Sequence, residues 1–539
     1  MKLIKETLKN NKDYFTSKGV TLPCFDTDKI KEDTYKAPSW VHFGAGNIFR
    51  GFIARIMQDL INEGLENTGI IACDIFDKKI IDEIYKPHDD LTLLADLKAD
   101  GNVSFEVIGS IVDTLCANPI YEEEHRKLIE VFKAPSLKLI SFTITEKGYA
   151  LRGIDKEYLP SVKEDIENGP EKATHAMSIV CALLLERYKN GALPLAVVSM
   201  DNCSHNGDKL KASIVEIASK WIENGFADKG FTDYLNDETK VTFPWSMIDK
   251  ITPRPDASVQ KMIEEDLGLE GMEPTTTKRG SFVAPFVNAE IPQYLVIEDS
   301  FPNGRPLFEK AGVYMTDKEH VDKSERMKVT TCLNPLHTSL AIFGCLLGYT
   351  RISDEMKNQT LVKLITKLGY DEGLKVVVDP VILNPEEFIR EVIEERLPNP
   401  YIPDAPQRIA SDTSQKIPVR FGETIKAYIA SDDLSVTSLI YIPLTIAGWF
   451  RYLLGVDDKG QEMDLSFDPL MDELKSELKD VKFGDPKSAY GNIDSLLRNA
   501  SLFGTDLIEC GLKEKIENML SDMLEGEGAV LSTITKYVG

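Results

Sequence analysis

The stretch from Trp40 to Ile61 constrains the fold more than any other part of this 539-residue chain. A short apolar run, Trp40–Phe43, leads directly into Gly44-Ala45-Gly46-Asn47, and apolar residues at helical spacing follow. Strand, glycine turn and helix in this order form the dinucleotide-binding arrangement, in which backbone N–H groups at the helix start hold a pyrophosphate. The glycine pattern is incomplete, because Phe49 stands where a third small residue is usual. A plain tight turn would explain a bare glycine pair equally well.

A second apolar run, Ile70–Cys73, ends in Asp74, and Asp77 lies just beyond it. An acid at the end of the second strand can accept the ribose hydroxyls and repel a 2′-phosphate, which favours NAD over NADP. We prefer Asp74 for this role, although one of the two acids could instead cap the helix expected near Lys78. The predicted cofactor-binding residues are Gly44, Gly46, Asn47, Phe49, Arg50 and Asp74.

Strand and helix signals continue to alternate down to about residue 304, and each strand ends in polar residues. The next strands are expected at Val107–Val112, Leu139–Ile144 and Leu195–Met200. This pattern predicts an open, mostly parallel sheet with its site along the carboxyl edge. From about Arg305 onward long helices replace the strands. We therefore predict an α/β protein with three parts: a helical extension over 1–37, a Rossmann-type NAD-binding domain over 38–304, and a mostly α-helical substrate and catalytic domain over 305–539.

The segment Glu325–His337 gathers a lysine, an asparagine and a histidine ahead of an apolar helix. Asn334 followed by Pro335 signals a helix start, because an Asn side chain can cap free N–H groups and Pro fits the first turn. His337 would then lie about one turn inside, on the side that Asn334 faces. Lys328 could handle a proton near neutral pH if burial lowers its pKa. On these residues alone, a solvated lysine, a helix cap and a core histidine are the simpler interpretation.

Taken together, these motifs resemble the mannitol dehydrogenase family, which comprises long-chain polyol and hexuronate dehydrogenases. The likeness covers roughly residues 38–450 and is carried by these stretches: the glycine turn with Phe49-Arg50, Ile108–Asp113, Thr145–Tyr149, Asp201-Asn202, Met247–Pro253, Val296–Asp299, Lys328–His337, Arg408 and Ser411–Pro418. The resemblance implies a Rossmann-type N-terminal domain, a helical C-terminal domain, a site between the domains and an NAD(H)-dependent, metal-free mechanism.

The resemblance also implies roles for single residues. Lys328 would be the general acid and base, while Asn202 and Asn334 would hold the developing alkoxide and His337 would bind substrate hydroxyls. The resemblance further implies a substrate pocket that contains Asp249, Arg408 and Lys416. It also implies a proton path to solvent that contains Glu325 and Glu146.

The chemistry of hydride transfer agrees with these roles. The transfer leaves charge on the carbinol oxygen, and preorganised amide donors stabilise such charge at low cost in reorganisation. A zinc dehydrogenase would need thiolate and imidazole ligands at workable spacing. The chain has seven histidines, and Cys332, His337 and Cys345 show no recognisable ligand spacing. We expect no metal.

One spacing departs from the family pattern. In the family the asparagine follows the lysine by five positions, whereas here Asn334 follows Lys328 by six positions. In a straight α-helix the extra residue would rotate the lysine by about 100° away from the asparagine and the histidine. We therefore predict a π-bulge or a break between Lys328 and Asn334 that absorbs the extra residue.

The substrate is expected to be a hexuronate. The N-terminal extension and the Asn-Pro-Leu-His sequence resemble the branch of the family that interconverts D-fructuronate and D-mannonate. A hexuronate carboxylate favours an arginine, whose planar fork can bind it in two places, and Arg408 and Arg420 are the candidates. The alternatives are tagaturonate, or mannitol or another polyol. A non-catalytic nucleotide-binding protein is the alternative from another class, and the intact set of lysine, asparagines and histidine argues against it.

The composition restricts the partners. A net charge of −25 disfavours nucleic acid and anionic membrane surfaces, although a local basic pocket could still bind an anionic substrate. We find no signal peptide and no apolar run near twenty residues, so we expect a cytoplasmic protein. The eight scattered cysteines are expected to be reduced. The expected partner is a small sugar acid or polyol, and the expected state is a monomer or a small homo-oligomer.

Overall fold

The computed structural model describes residues 1–75, 78–277, 280 and 282–539. These residues form two compact units, the first made of 1–98 with 102–322 and the second made of 99–101 with 323–539. The division falls after Asp322, whereas the sequence pattern changes near residue 305. The strand Tyr314–Thr316 accounts for this difference, because it pairs with Tyr294–Glu298 and so stays with the first unit.

A six-stranded sheet forms the middle of the first unit. Its strands lie side by side in this order: Ile111–Cys116, Ile70–Asp74, Trp40–Phe43, Leu139–Phe142, Leu195–Ser199 and Val241–Thr242. All neighbours pair in parallel. Numbered along the chain, the order is 3-2-1-4-5-6, the doubly wound order of dinucleotide-binding folds, so the predicted parallel sheet is confirmed. The order reverses beside Trp40–Phe43, and ligands bind at that switch point, outside the carboxyl ends of the strands.

Helices connect these strands and bury the sheet in one apolar core. The strands Trp40–Phe43 and Leu139–Phe142 are buried along their whole length, as expected for a parallel sheet covered on both faces. The α-helices of the first unit are Lys5–Asn10, Lys12–Ser17, Thr27–Lys36, Ala54–Asn62, Lys78–Ile80, Glu122–Lys133, Pro160–Asn168, Ala176–Lys189, Asn206–Glu223, Gly230–Asn236 and Ala257–Asp266, and the helix Lys318–Met327 leads into the second unit.

The described part of the first unit also contains three smaller sheets. One has four strands, Val20–Thr21, Val103–Ile108, Thr92–Leu97 and Phe286–Glu290; one has three, Ser246–Asp249, Tyr294–Glu298 and Tyr314–Thr316; one has two, Thr275–Thr276 and Phe282–Val283. The single strand expected at Val107–Val112 is wrong. Gly109 and Ser110 belong to neither strand, and they divide the stretch between the four-stranded and the six-stranded sheet.

Residues 1–37 pack into the first unit. Leu3 and Phe15 are fully buried, and the strand Val20–Thr21 pairs with Val103–Ile108. Asp26 caps the helix Thr27–Lys36 by accepting from two backbone N–H groups. The segment is therefore mainly helical, but it also supplies an edge strand.

The second unit is helical, as predicted. Its α-helices are Asn334–Leu346, Ile352–Glu355, Gln359–Lys367, Pro385–Glu391, Pro406–Ile409, Thr413–Ile417, Glu423–Ala430, Tyr441–Leu453, Met471–Glu477, Asp494–Leu497, Ala500–Phe503, Lys513–Met523 and Ala529–Val538. In its core, Asn334–Leu346 packs against Tyr441–Leu453, and the hydroxyls of Ser339 and Thr445 are hydrogen-bonded at 2.9 Å.

The helical stretch Lys318–Leu346 is long and apolar enough to cross a membrane by length and composition, with a mean hydropathy of 1.2 in its most apolar window. However, 72% of that window is buried inside the protein. The core helix of a soluble protein gives the same signal, so this finding is weak evidence for a membrane span.

Candidate functional site

The glycine turn leaves the strand Trp40–Phe43 and leads into a helix that begins at Asn47. Gly44 has a φ of +106°, and a Cβ atom there would lie 2.2 Å from the carbonyl oxygen of Thr143. Only glycine fits this position. A Cβ atom at Gly46 would meet nothing within 4 Å, so the backbone there faces open space.

A cleft of about 350 Å³ opens beside this turn. Its walls include Gly44–Ile48, Asp74, the loop Thr143–Thr145 and Phe282 with Val283. The cleft therefore combines the backbone of a helix start, a carboxylate at the end of the second strand and apolar walls. These are the groups that a dinucleotide needs, so the residues fit a nicotinamide cofactor. Asp77, the alternative acid, lies outside the described residues.

Phe49 and Arg50 do not line this cleft, although the sequence placed them among the cofactor-binding residues. Both side chains are fully buried. The Phe49 ring stacks on His42 at 4.2 Å between centroids. The Arg50 guanidinium donates to the carbonyl of Ala284 at 2.6 Å and to the side-chain oxygen of Asn47 at 2.7 Å. Arg50 thus holds Asn47 at the helix start.

Tyr85 also supports the turn, a role that no sequence pattern indicated. Its hydroxyl donates to the carbonyl oxygen of Ala45 at 2.8 Å. The guanidinium of Arg50 lies 5.7 Å from the Tyr85 ring centroid. Burial raises the pKa of Tyr85, so the hydroxyl stays a donor.

Asp201 fixes the loop that follows the fourth strand. Its carboxylate accepts from the backbone N–H groups of Ile144 at 2.9 Å and Thr145 at 2.8 Å, and from the Tyr149 hydroxyl at 2.5 Å. Burial raises the pKa of Asp201, and these three donors oppose the rise. The next residue, Asn202, is exposed in the turn after the strand Leu195–Ser199.

Two other predicted site residues of the first unit, Glu146 and Asp249, differ in their exposure to solvent. Glu146, assigned to the proton path, is exposed, and its carboxylate lies 2.5 Å from the Lys209 ammonium. Asp249, assigned to the substrate pocket, is buried and is the last residue of the strand Ser246–Asp249.

In the second unit, the predicted irregularity between Lys328 and Asn334 is confirmed. A π-helical turn occupies Lys328–Cys332, Leu333 interrupts the helix with φ −127° and ψ −61°, and the next helix begins at Asn334. A π turn holds one residue more than an α turn, which accounts for the extra residue. The Lys328 side chain is only 3% exposed.

The predicted capping role of Asn334 is wrong. The N-cap position of the helix Asn334–Leu346 belongs to Leu333, and no side chain caps this helix start. The reason is the interruption at Leu333, which places Asn334 inside the first turn. Asn334 and His337 are three positions apart in one helix and so lie on neighbouring positions of one face.

His337 lies against Asp404. The Nε2 atom of His337 is 2.8 Å from Oδ2 of Asp404 and has no hydrogen-bond partner among the described residues, so the pair is an electrostatic contact. Arg408 donates to the other carboxylate oxygen. Burial alone would raise the pKa of Asp404, but His337 and Arg408 outweigh it and lower the pKa overall. Asp404 precedes Arg408 by four positions, which is the spacing that could have identified it.

Lys416 and Arg420 lie on one short segment of the second unit. The Lys416 ammonium donates to the backbone carbonyls of Ile409, at 3.0 Å, and Ser411. Burial lowers the pKa of Lys416, and the charge of Arg420 lowers it further. Arg420 donates to the Thr338 hydroxyl at 2.5 Å, and burial lowers its pKa to about 10.

Glu355 is a buried acid that the sequence did not reveal. It is fully buried, and its two carboxyl oxygens have no hydrogen-bond partner in the part of the chain that the structure describes. A Cβ atom at Gly344 would lie 2.0 Å from Oε1 of Glu355, so the carboxyl packs on the helix Asn334–Leu346. Burial, and then the charge of Asp404, raise the pKa of Glu355 well above its ordinary value.

Glu325 is half-buried, three positions before Lys328 in the same helical stretch. Across residues 1–75, 78–277, 280 and 282–539, no group of three or more His, Cys, Asp or Glu side chains is arranged to hold a metal ion. All eight cysteines are free thiols.

Comparisons with known proteins cover both units. The model of the mannitol dehydrogenase Rossmann domain matches residues 38–310, and that of the mannitol dehydrogenase C-terminal domain matches residues 320–524. A D-mannonate oxidoreductase from Thermotoga maritima is 51% identical over 100% of this chain and 99% of its own.

Two solved structures share the architecture. A D-sorbitol dehydrogenase in substrate-free form has a TM-score of 0.79 and 26% identity, over 96% of this chain and 97% of its own. The Pseudomonas fluorescens mannitol 2-dehydrogenase in a ternary complex with NAD and D-mannitol has a TM-score of 0.67 and 25% identity, over 99% of each chain. The resemblance predicted from the motifs is confirmed.

Proposed function

The chain belongs to the mannitol dehydrogenase family, and from that premise we propose that it interconverts D-fructuronate and D-mannonate with NAD(H). It is a nicotinamide-dependent oxidoreductase that acts on a CH–OH group. The assignment of the substrate rests on the 51% identity, over the full length, with a D-mannonate oxidoreductase. The identities with the two polyol dehydrogenase structures are 26% and 25%.

Lys328 is the general acid and base of this proposal. It takes the hydroxyl proton of the alcohol during oxidation and returns a proton to the carbonyl oxygen during reduction. NAD(H), when bound, accepts or supplies the hydride. At 3% exposure the Lys328 side chain is shielded from bulk water, which favours proton transfer to a bound substrate over exchange with solvent.

Asn202 and Asn334 stabilise the charge on the carbinol oxygen by donating amide N–H groups to it. Two observations support this assignment. The Asn334 side chain does not cap the helix, and Asn334 lies one turn before His337 on the same helix. Asn202 is exposed at the carboxyl end of a sheet strand, the edge where ligands bind in this fold.

His337 binds a substrate hydroxyl. The Asp404 carboxylate beside Nε2 favours a proton on that nitrogen, which leaves Nδ1 as an acceptor for a hydroxyl group. Asp404 therefore positions His337 through its charge. Asp249, Arg408 and Lys416 complete the proposed substrate pocket.

The proposed cofactor is NAD(H) in preference to NADP(H). Asp74 lies at the end of the second strand and lines the cleft beside the glycine turn. A carboxylate there accepts the ribose hydroxyls and repels a 2′-phosphate. Gly44, Gly46 and Asn47 supply the backbone that holds the pyrophosphate, and the buried Arg50 and Phe49 support that backbone from behind.

The proton path begins at Glu325. Three positions before Lys328 in the helix, it lies on a neighbouring position of the same face and is half-buried, so it can pass protons between the lysine and solvent. Glu146, which is exposed, is the second residue that we propose for proton exchange with solvent. The mechanism needs no metal, because the lysine and the two amides polarise the oxygen. A cytoplasmic location and a monomer or small homo-oligomer remain predictions, the latter tested by light scattering.

NADH oxidation with D-fructuronate, D-tagaturonate and D-fructose in parallel tests the proposal. Turnover of D-fructuronate well above the other two supports it. A clear preference for D-tagaturonate or D-fructose would move the protein to another branch of the family. Lys328→Ala should lower turnover by roughly 10²–10⁴-fold, whereas Lys479→Ala, which removes an exposed lysine of the same unit, should leave it unchanged.

A further inference from the structure

The two arginines that could bind a substrate carboxylate differ in their surroundings. The Arg408 side chain is 68% exposed, and its guanidinium is paired with the Asp404 carboxylate. Arg420 is mostly buried, and its protein partner is the neutral hydroxyl of Thr338. In the described part of the chain, no Asp or Glu side chain forms an ion pair with Arg420. Arg420 is thus a cation for which the described residues supply no acid partner.

Such a cation is unfavourable without an anion. Burial of a guanidinium costs free energy unless a charge or several hydrogen bonds compensate it. The neighbouring Lys416 adds to the positive charge, since Arg420 lowers the pKa of Lys416. Asp412 and Asp468 oppose this effect at Lys416, but Asp468 already accepts from the backbone N–H and hydroxyl of Ser414. The segment is therefore suited to receive an anion from outside the chain.

Arg420 also lies close to the proposed catalytic residues of its own unit. It belongs to the π turn Pro418–Gly422, which packs against the π turn Lys328–Cys332. Its partner Thr338 directly follows His337 and lies four positions after Asn334 on the same helix. The guanidinium is therefore fixed to the helix that carries Asn334 and His337.

We propose that Arg420 binds the carboxylate of the sugar acid and is the residue that selects hexuronates over polyols. This inference rests on the proposed function. Thr338 holds one terminal nitrogen, which leaves the other N–H groups of the fork to contact a carboxylate in two places. A ketose with CH₂OH in place of the carboxylate makes no charged contact there. Arg420 therefore contributes to the uronate alone.

The test compares Arg420→Gln and Arg420→Lys with the wild-type enzyme on D-fructuronate and D-fructose. Arg420→Gln should lower kcat/KM for D-fructuronate by about 100-fold, as expected for loss of one partner of a desolvated charge pair. The value for D-fructose should change by less than about threefold, because no charged contact is lost. Arg420→Lys keeps the charge but loses the planar fork, so its kcat/KM for D-fructuronate should lie between those of the wild type and Arg420→Gln.

The matched control is Arg390→Gln, because Arg390 is an exposed arginine of the same unit. It should leave both substrates unaffected. NADH binding and the unfolding midpoint show whether each variant is folded. If Arg420→Gln is unfolded, Arg420→Lys is compared with the wild type instead. Equal losses on D-fructuronate and D-fructose would mean that Arg420 only supports the structure.

A binding measurement separates failure of this inference from failure of the proposed function. If the wild-type enzyme turns over no uronate, the proposed function fails. Calorimetry of D-mannonate with the wild-type protein and Arg420→Gln then decides the role of Arg420. Binding to the wild type that is lost in the variant supports carboxylate recognition. Equal binding, or no binding to either protein, overturns it.

Discussion

Gly44 and Gly46 stand two positions apart, and the same substitution should affect them in different ways. At Gly44, alanine would adopt a φ of +106° and place its Cβ atom 2.2 Å from the Thr143 carbonyl oxygen. The left-handed backbone costs about 1–2 kcal/mol. The forced shift of the packed Thr143 backbone costs about 1–3 kcal/mol more. Gly44→Ala should therefore lower the free energy of unfolding of the first unit by about 2–5 kcal/mol.

Gly46→Ala is the matched control for stability. Its Cβ atom meets nothing within 4 Å, and its φ is not positive, so unfolding should change by less than about 0.5 kcal/mol. The same Cβ atom would project at the turn where we place the pyrophosphate. Gly46→Ala should therefore weaken NADH binding while the protein stays folded.

Urea unfolding followed by tryptophan fluorescence measures the first effect, since Trp40, Trp221 and Trp245 lie in the first unit and Trp449 in the second. Fluorescence titration with NADH measures the second. Equal stability of Gly44→Ala and the wild type would refute the steric argument. Unchanged NADH affinity in Gly46→Ala would refute the placement of the pyrophosphate.

Three further predictions concern single side chains. Asp74→Ala should reduce the preference for NAD over NADP, measured as a ratio of kcat/KM values, by about tenfold or more, because the repulsion of a 2′-phosphate is lost; Asp13→Ala, at an exposed acid, should not change the ratio. Lys328→Ala should lower kcat by roughly 10²–10⁴-fold with NADH affinity retained, and a smaller loss would exclude it as the general acid and base. Glu355→Gln should gain stability relative to the wild type as the pH rises. Burial raises the folded-state pKa of Glu355 above its ordinary value of 4.5. The stability that the protonated Glu355 contributes to the wild type is therefore fully present below pH 4.5 and is lost as the pH rises toward the folded-state pKa. Urea unfolding at several pH values should show a relative gain of about 1.4 kcal/mol per pH unit in that range, and parallel curves would contradict the burial of an ionisable acid.

The sequence by itself determined the features that depend on short stretches of chain. A glycine pair between an apolar strand and an amphipathic helix was enough to predict the turn, because only glycine tolerates the backbone at Gly44. Alternating strands and helices were enough for the parallel sheet. The six-position spacing of Lys328 and Asn334, set against the five positions that the family resemblance implies, was enough to predict the irregular helix, because helical geometry fixes the rotation per residue.

Other features were decided only by tertiary structure. Arg50 is buried because it reaches the carbonyl of Ala284, which is 234 residues away in the chain. Arg420 is distinguished from Arg408 by Thr338, which is 82 residues away, and by the lack, among the described residues, of an acid paired with it as Asp404 is with Arg408. The boundary between the units follows from the pairing of Tyr314–Thr316 with Tyr294–Glu298. Local spacing sets backbone conformation, but the burial and partners of a side chain depend on which distant segments pack around it, and no short pattern records them.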